Sequence, residues 1–120
     1  MNITHAQFVT LPVADQDRAK AFYTGALGFD VVADRQMGPV RWLAVAPRGA
    51  QTHFVLAAAE QGFTPGSGHG TALVSADLDG DCAALRAAGA KVEGPDDRPW
   101  GRQATLEDPD GNRFMLSAEG

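Results

Sequence analysis

One pattern of predicted elements occurs twice in the sequence, and this internal repeat constrains the fold more than any other feature. The stretch "VTLPVADQDRAKAFYTGALGFDVV" matches "TALVSADLDGDCAALRAAGAKVEG", and "RWLAVAPRGAQTHFVL" matches "RQATLEDPDGNRFML". The paired positions include Asp15 and Asp77, Gly28 and Gly89, Arg41 and Arg102, and Phe54 and Phe114. The repeat therefore predicts two copies of one structural unit within a single domain spanning residues 1–120.

Each copy is typical of one strand, one helix and three further strands. Asp15 is placed to cap the first helix, and Gly28 stands where that helix should end. We expect modules at about residues 4–58 and 70–118, joined by a Gly-rich linker at about 59–69, with "PDDRPW" as a loop in the second module. The predicted fold is α+β: two tandem βαβββ modules forming a cupped, mixed or antiparallel sheet with the helices on its outer face. Because one helix covers only one face of a sheet, the uncovered faces should line a cleft.

The composition excludes several kinds of partner. The net charge is -5 and the sequence pI is about 4.9, which argues against nucleic acid and anionic membranes, since both need clustered Lys and Arg. No apolar run approaches the roughly 18 residues of a membrane span, and Met1–His5 does not resemble a signal peptide, so we expect a cytoplasmic protein. Cys82, the single cysteine, excludes an intrachain disulfide and is interpreted as a buried structural thiol.

Two stretches resemble a known family. "TLPVADQDRAKAFYTGALGF" and "PWGRQATLEDPDGNRFMLS" are similar to the vicinal oxygen chelate superfamily, which includes glyoxalase I, bleomycin-resistance proteins, fosfomycin-resistance proteins and extradiol dioxygenases. The resemblance implies the paired-module fold and a homodimer that completes its clefts by pairing. It also implies, for metal-dependent members, a divalent ion on the concave face held by His and Glu or Gln.

The positions that would hold this metal lack suitable ligands. Family spacing places them at Phe8, Val55, Gly70 or Thr71, and Met115. None supplies an imidazole or carboxylate, and a Met sulfur is too soft for magnesium, manganese or zinc in an oxygen-rich pocket. We therefore expect no metal cofactor. A rearranged site using His53 and His69 is the open alternative, against the simpler interpretation of His53 as a polar cleft residue and of His69 and His5 as solvated.

Period-two alternation gives the lining of the cleft. The helix side should be uniformly apolar: Val9, Leu11, Phe54, Leu56, Phe114 and Leu116. The cleft side should include Thr71 and Leu73 on the fifth strand and Ser117 on the last. The candidate ligand-binding residues are Phe8, Thr10, Trp42, His53, Val55, Trp100, Arg102, Arg113 and Met115. Trp100 could stack on a ligand or instead cap the core or an interface, and Arg41 and Arg102 could bind an anion or, more commonly, pair with surface carboxylates.

Three functions fit these residues. The first is a metal-free homodimer that binds a small, aromatic or antibiotic-like molecule, as bleomycin-resistance proteins do. The second is a metal-dependent enzyme of the glyoxalase, lyase or dioxygenase type with a nonstandard site. The third is a metal-free enzyme with His53 as acid or base. No catalytic residue is assigned, and the missing metal ligands favour the binding protein.

Overall fold

Each half of the chain folds into one helix and one four-stranded sheet. The computed structural model describes residues 1–58 and 62–119. The first module contains β1 (Phe8–Val13), α1 (Gln16–Ala21), a π-helical turn (Phe22–Ala26), β2 (Asp30–Met37), β3 (Val40–Ala46) and β4 (His53–Ala58). The second contains β5 (Thr71–Ser75), α2 (Leu78–Ala87), β6 (Lys91–Arg98), β7 (Gly101–Glu107) and β8 (Arg113–Ala118). The predicted α+β class and the repeated βαβββ order are confirmed.

The two sheets have the same strand order. Sheet A, from the first module, runs β1-β4-β3-β2, and sheet B, from the second, runs β5-β8-β7-β6. In each sheet the first and fourth strands of the module pair in parallel, and the other neighbours are antiparallel. Gly38 and Pro39 form the two-residue turn between β2 and β3, which fixes the register of that hairpin.

Both helices begin at the predicted caps. The side chain of Asp15 accepts a 3.1 Å hydrogen bond from the backbone N–H of Arg18, and Asp77 does the same for Gly80. The segment from Asp15 to Gly28 is one residue longer than its counterpart from Asp77 to Gly89. The π-helical turn absorbs this extra residue, so the strands that follow keep equivalent positions.

The helix-side faces of the two sheets share one hydrophobic core. Phe54 on β4 and Phe114 on β8 meet edge to face with ring centroids 5.7 Å apart, and Tyr23 packs against Phe114 at 6.2 Å. Leu11, Leu56 and Leu116 join the same core, as the alternation predicted. Cys82 is fully buried there as a free thiol, which confirms its predicted burial, and burial raises its pKa.

One predicted loop is wrong over most of its length. The first four residues of "PDDRPW" do not leave the sheet, because β6 continues through Asp96 and Asp97 to Arg98 after a register irregularity between Glu93 and Asp96. Its last two residues, Pro99 and Trp100, do form a turn. Strand pairing with β7 thus overrides the local turn preference. Residues 59–61, the start of the predicted linker, lie outside the described part of the chain. None of the described helices is long and apolar enough to span a membrane.

Candidate functional site

The open face of sheet A, opposite the helix side, carries five of the predicted binding residues. Phe8 and Thr10 on β1 stand directly beside His53 and Val55 on β4, and Ala44 on β3 is paired with Val55. Trp42 is two residues before Ala44 and so projects from the same face. The predicted residues Phe8, Thr10, Trp42, His53 and Val55 are thus brought together by strand register.

An aromatic pair dominates this face. The rings of Phe8 and Trp42 meet at 87° with their centroids 5.3 Å apart. Thr10, Val55 and Ala44 are neighbours across β1, β4 and β3. Phe8 lies on one side of this line of residues and Trp42 on the other, so both rings extend over it. This accounts for the burial of Val55 and Ala44, whereas Phe8 keeps 41% of its surface exposed. The pair offers a planar ligand an exposed aromatic surface on an apolar floor.

Arg35 is a residue of this face that the sequence interpretation missed. It pairs directly with Trp42 in the β2–β3 hairpin and therefore projects from the same face. The two-residue turn at Gly38 and Pro39 already implies this pairing, so the signal was present in the sequence.

The open face of sheet B carries no aromatic side chain on β5, β7 or β8. Met115 on β8 lies between Ala72 on β5 and Thr105 on β7 and is 37% exposed. A depression of about 320 Å³ covers this area. Among the described residues, all that line it belong to the second module: His69, Gly70, Thr71, Ala72, Gln103, Thr105, Arg113, Phe114 and Met115. The two open faces are therefore separate surfaces within one chain, and each is called a candidate half-site.

Arg113 lies at the edge of this half-site and is not free. Its guanidinium donates to Oε1 of Glu107 at 2.9 Å, and Lys91 lies 3.3 Å from the other oxygen of that carboxylate. Hydrogen bonds from Arg113 and then Lys91 lower the pKa of Glu107. Arg113 thus shares one carboxylate with Lys91 and is not a free cation.

The prediction of which residues of the fifth strand face the cleft is wrong by one residue. Thr71 and Leu73 pair with Phe114 and Leu116, which places them on the helix side, and Leu73 packs against the core. The open face instead receives Ala72 and Val74. In this parallel register the counterpart of Phe8 is Gly70, one residue before the strand. Short apolar strands carry little information about register, which the pairing with β8 decides here.

Arg102 projects from the opposite face of sheet B. Its guanidinium lies 2.7 Å from Asp79 on α2 and 3.0 Å from Asp97 on β6. Arg41, its counterpart in the repeat, lies 2.7 Å from Asp17 on α1 and 2.9 Å from Asp34 on β2. Both arginines therefore link a helix to its own sheet. Arg102 lies on the face opposite the open face and is not part of the candidate site.

Trp100 lies in the turn between β6 and β7 and is 73% exposed. Its indole Nε1–H donates a 2.6 Å hydrogen bond to Oε1 of Gln103, which borders the depression on sheet B. Trp100 therefore does not cap the core of this chain, and its ring is available to a ligand or to another molecule.

The donor set does not fit a resident metal of the kind that the resemblance implies. The side chains at Phe8, Val55, Gly70 and Met115 offer no nitrogen or oxygen ligand. His53 lies on sheet A, whereas His69 precedes β5 at the depression on sheet B. Within residues 1–58 and 62–119, no group of three or more His, Cys, Asp or Glu side chains is arranged to hold a metal ion.

Paired βαβββ modules with an open face on each sheet define a protein of the vicinal oxygen chelate class. Residues 3–116 match the Glyoxalase/Bleomycin resistance protein/Dioxygenase superfamily, and the chain belongs to this family. The resemblance inferred from the sequence is confirmed.

Among solved structures, the chain is similar to TnmS3, an antibiotic binding protein from Streptomyces sp. CB03234. The identity is 46%, the TM-score is 0.93, and the match covers 100% of this chain and 99% of TnmS3. A glyoxalase/bleomycin resistance protein from the same organism is also 46% identical, with a TM-score of 0.83 and coverage of 95% and 99%. The uncharacterized protein YetH of Bacillus subtilis (strain 168) is 36% identical over 113 residues, which are 90% of this chain and 92% of YetH.

Proposed function

We propose that this protein binds a small planar aromatic, antibiotic-like molecule, without a metal, in clefts of a homodimer. The observation that carries the proposal is the edge-to-face pair of an exposed Phe8 and a half-buried Trp42 over an apolar floor. A planar ligand can stack on either ring and gain the dispersion and desolvation energy of aromatic contact. The similarity to TnmS3, an antibiotic binding protein, over the whole chain supports this ligand class.

The separation of the two half-sites supports the proposed homodimer. Each open face exposes apolar side chains, including Phe8 on sheet A and, at 69% exposure, Val74 on sheet B. A single open face would leave one side of a planar ligand in water, whereas small-molecule sites usually bury most of the ligand surface. A second copy that places its sheet B against sheet A of the first would enclose the ligand, and twofold symmetry would form two such clefts.

The donor set supports binding without a metal. A divalent ion that polarises a substrate oxygen must be held by several nitrogen or oxygen ligands, and the family positions carry Phe8, Val55, Gly70 and Met115. The exposed side chains of Phe8 and Met115 instead extend the apolar surface available to an aromatic ligand.

A thermal-shift screen of aromatic compounds, antibiotics among them, tests the ligand class, because binding to the native state raises the melting temperature. Hits should lose their shift with Trp42→Ala and keep it with Phe63→Ala, which removes an exposed aromatic outside both sheets. Hits that shift Trp42→Ala as strongly as the parent protein would exclude the aromatic pair as the site.

Two further measurements test the dimer and the absence of a metal. Sedimentation velocity should give twice the mass of the 12.6 kDa chain. Protein purified without chelators should contain no stoichiometric metal, and calorimetric titration with nickel, zinc and manganese should show no tight site. Tight stoichiometric binding that is lost with His53→Ala would contradict the proposal and favour a metal-dependent enzyme.

A further inference from the structure

Arg35 differs from every other arginine of the described chain in having no partner. Arg86 donates to the backbone carbonyls of Val92 and Gly94. The remaining arginines each face a carboxylate: Arg18, Arg41, Arg48, Arg98, Arg102 and Arg113. In residues 1–58 and 62–119, Arg35 makes neither an ion pair nor a side-chain hydrogen bond. Its guanidinium retains all of its donors for another molecule.

The position of Arg35 connects it to the aromatic pair. Directly paired residues of antiparallel strands have Cβ atoms about 5 Å apart, so Arg35 and Trp42 stand side by side on the open face of sheet A. Trp42 in turn contacts Phe8. A ligand that stacks on this pair can therefore bring a substituent within reach of the guanidinium.

The acidic residues nearest along β2 do not compensate this charge. Asp34 projects from the opposite face, where Arg41 and Lys20 bind both of its oxygens. Asp30 lies at the other end of the strand and is 3.6 Å from Arg48. On sheet B, by contrast, Arg113 and Lys91 both contact Glu107. Among the described residues, Arg35 is therefore the arginine of the two open faces that contacts no carboxylate, and it lies beside Trp42.

We propose that the ligand is an aromatic acid and that Arg35 binds its anionic oxygen group, a carboxylate or phenolate. The planar guanidinium can donate two parallel hydrogen bonds to a carboxylate, which a lysine in its place could not do. This inference rests on the proposed function, because it assigns the charge of the ligand that Phe8 and Trp42 hold. It makes Arg35 a specificity-determining residue of the aromatic site.

The test compares 2-naphthoate with 2-naphthamide, which share one ring system and differ in charge. Calorimetry at low ionic strength should show naphthoate binding about three- to fivefold more tightly, the strength of a solvent-exposed ion pair. Added salt should reduce this preference, since it screens exposed charges. Arg35→Gln should abolish the preference by weakening the binding of naphthoate, while Arg35→Lys should retain only part of it.

Arg48→Gln is the matched control, because it removes an exposed arginine from the β3–β4 turn of the same module. It should keep the naphthoate preference. Equal affinities for the two probes in the parent protein would overturn the role of Arg35 and leave aromatic binding intact. Failure of both probes to bind, or binding that survives Trp42→Ala, would overturn the proposed function together with this inference.

Discussion

The hydroxyl of Tyr23 donates a 2.7 Å hydrogen bond to Oδ2 of Asp108, and both residues are buried. Tyr23 belongs to the helical segment of the first module and Asp108 to the β7–β8 turn of the second. The same carboxylate accepts from the backbone N–H of Asp110 and from Asn112, whose side chain also donates to the carbonyl of Pro12. This network fixes the relative position of the modules, and hence of the two half-sites.

Tyr23→Phe should lower the free energy of unfolding by about 1.5–3 kcal/mol, because it removes a donor from a buried charged group. Burial, followed by the charge of Asp108, holds the pKa of Tyr23 well above its ordinary value, so the lost donor is a neutral hydroxyl. Urea denaturation measures the change. Thr24→Val is the control, since its hydroxyl donates only to the carbonyl of Lys20 within the same helical segment. Equal costs for the two variants would mean that the Tyr23 bond does not join the modules.

Phe114→Ala should destabilise the protein by about 3–5 kcal/mol, because a cavity would open where the two modules meet. The adjacent Met115→Ala should cost less than about 1 kcal/mol, since Met115 lies on the open face of the same strand. Thermal or urea unfolding of both variants measures the difference. Similar costs at the two positions would contradict the assignment of faces on β8.

Asp34→Asn should flatten the loss of stability in acid. Hydrogen bonds from Arg41 and then Lys20 hold the pKa of Asp34 well below its ordinary range. A carboxyl whose pKa is lowered by folding stabilises the protein above its unfolded pKa of about 3.9, and this contribution is lost as the pH falls from about 5. Urea midpoints measured between about pH 6 and pH 3 test the slope. Asp30→Asn, which removes a more exposed carboxyl at the end of β2, controls for the loss of one negative charge. If the stability of Asp34→Asn fell with pH as steeply as that of the parent protein, the role of Asp34 would be excluded.

Substitution by alanine should have opposite effects at two nearby glycines. Gly28 has a φ of +67°, where an alanine Cβ is strained, so Gly28→Ala should cost about 1–2 kcal/mol. Gly25 lies in the π-helical turn with no atom within 4 Å of an added Cβ, so Gly25→Ala should stabilise by about 0.5–1 kcal/mol. Chemical denaturation of the pair gives the sign of each change. A stabilising Gly28→Ala would show that the helix does not need a left-handed residue at its end.

The repeat and the residues that begin and end its helices could be predicted because they depend on local chemistry. Asp15 and Asp77 satisfy the first N–H groups of their helices, and Gly28 and Gly89 supply positive φ at the ends. The apolar alternation of β1, β4 and β8 identified the helix side, since one face of each strand had to be uniformly hydrophobic. The same alternation predicted the open face of sheet A, because it placed Phe8, Thr10, His53 and Val55 on one face.

Strand pairing decided two features that local chemistry did not: which β5 residues face the cleft and how far β6 extends. The lining of β5 was wrong because register places Ala72 and Val74, and not Thr71 and Leu73, beside Met115 and Ser117. The first four residues of "PDDRPW" are strand and not loop, because β7 supplies partners for their backbone.

The sequence by itself determined the repeat, the family, the helix ends and the core-facing residues of β1, β4 and β8, because each depends on neighbours in the chain or on a period of two. Only the tertiary structure decided which charges remain free. Arg102 and Arg113 looked available along the sequence, yet Asp79 and Glu107 bind them, whereas Arg35 stands unpaired beside Trp42. The physical reason is that the energy of a charge depends on the charges within a few ångströms, and folding alone brings those together.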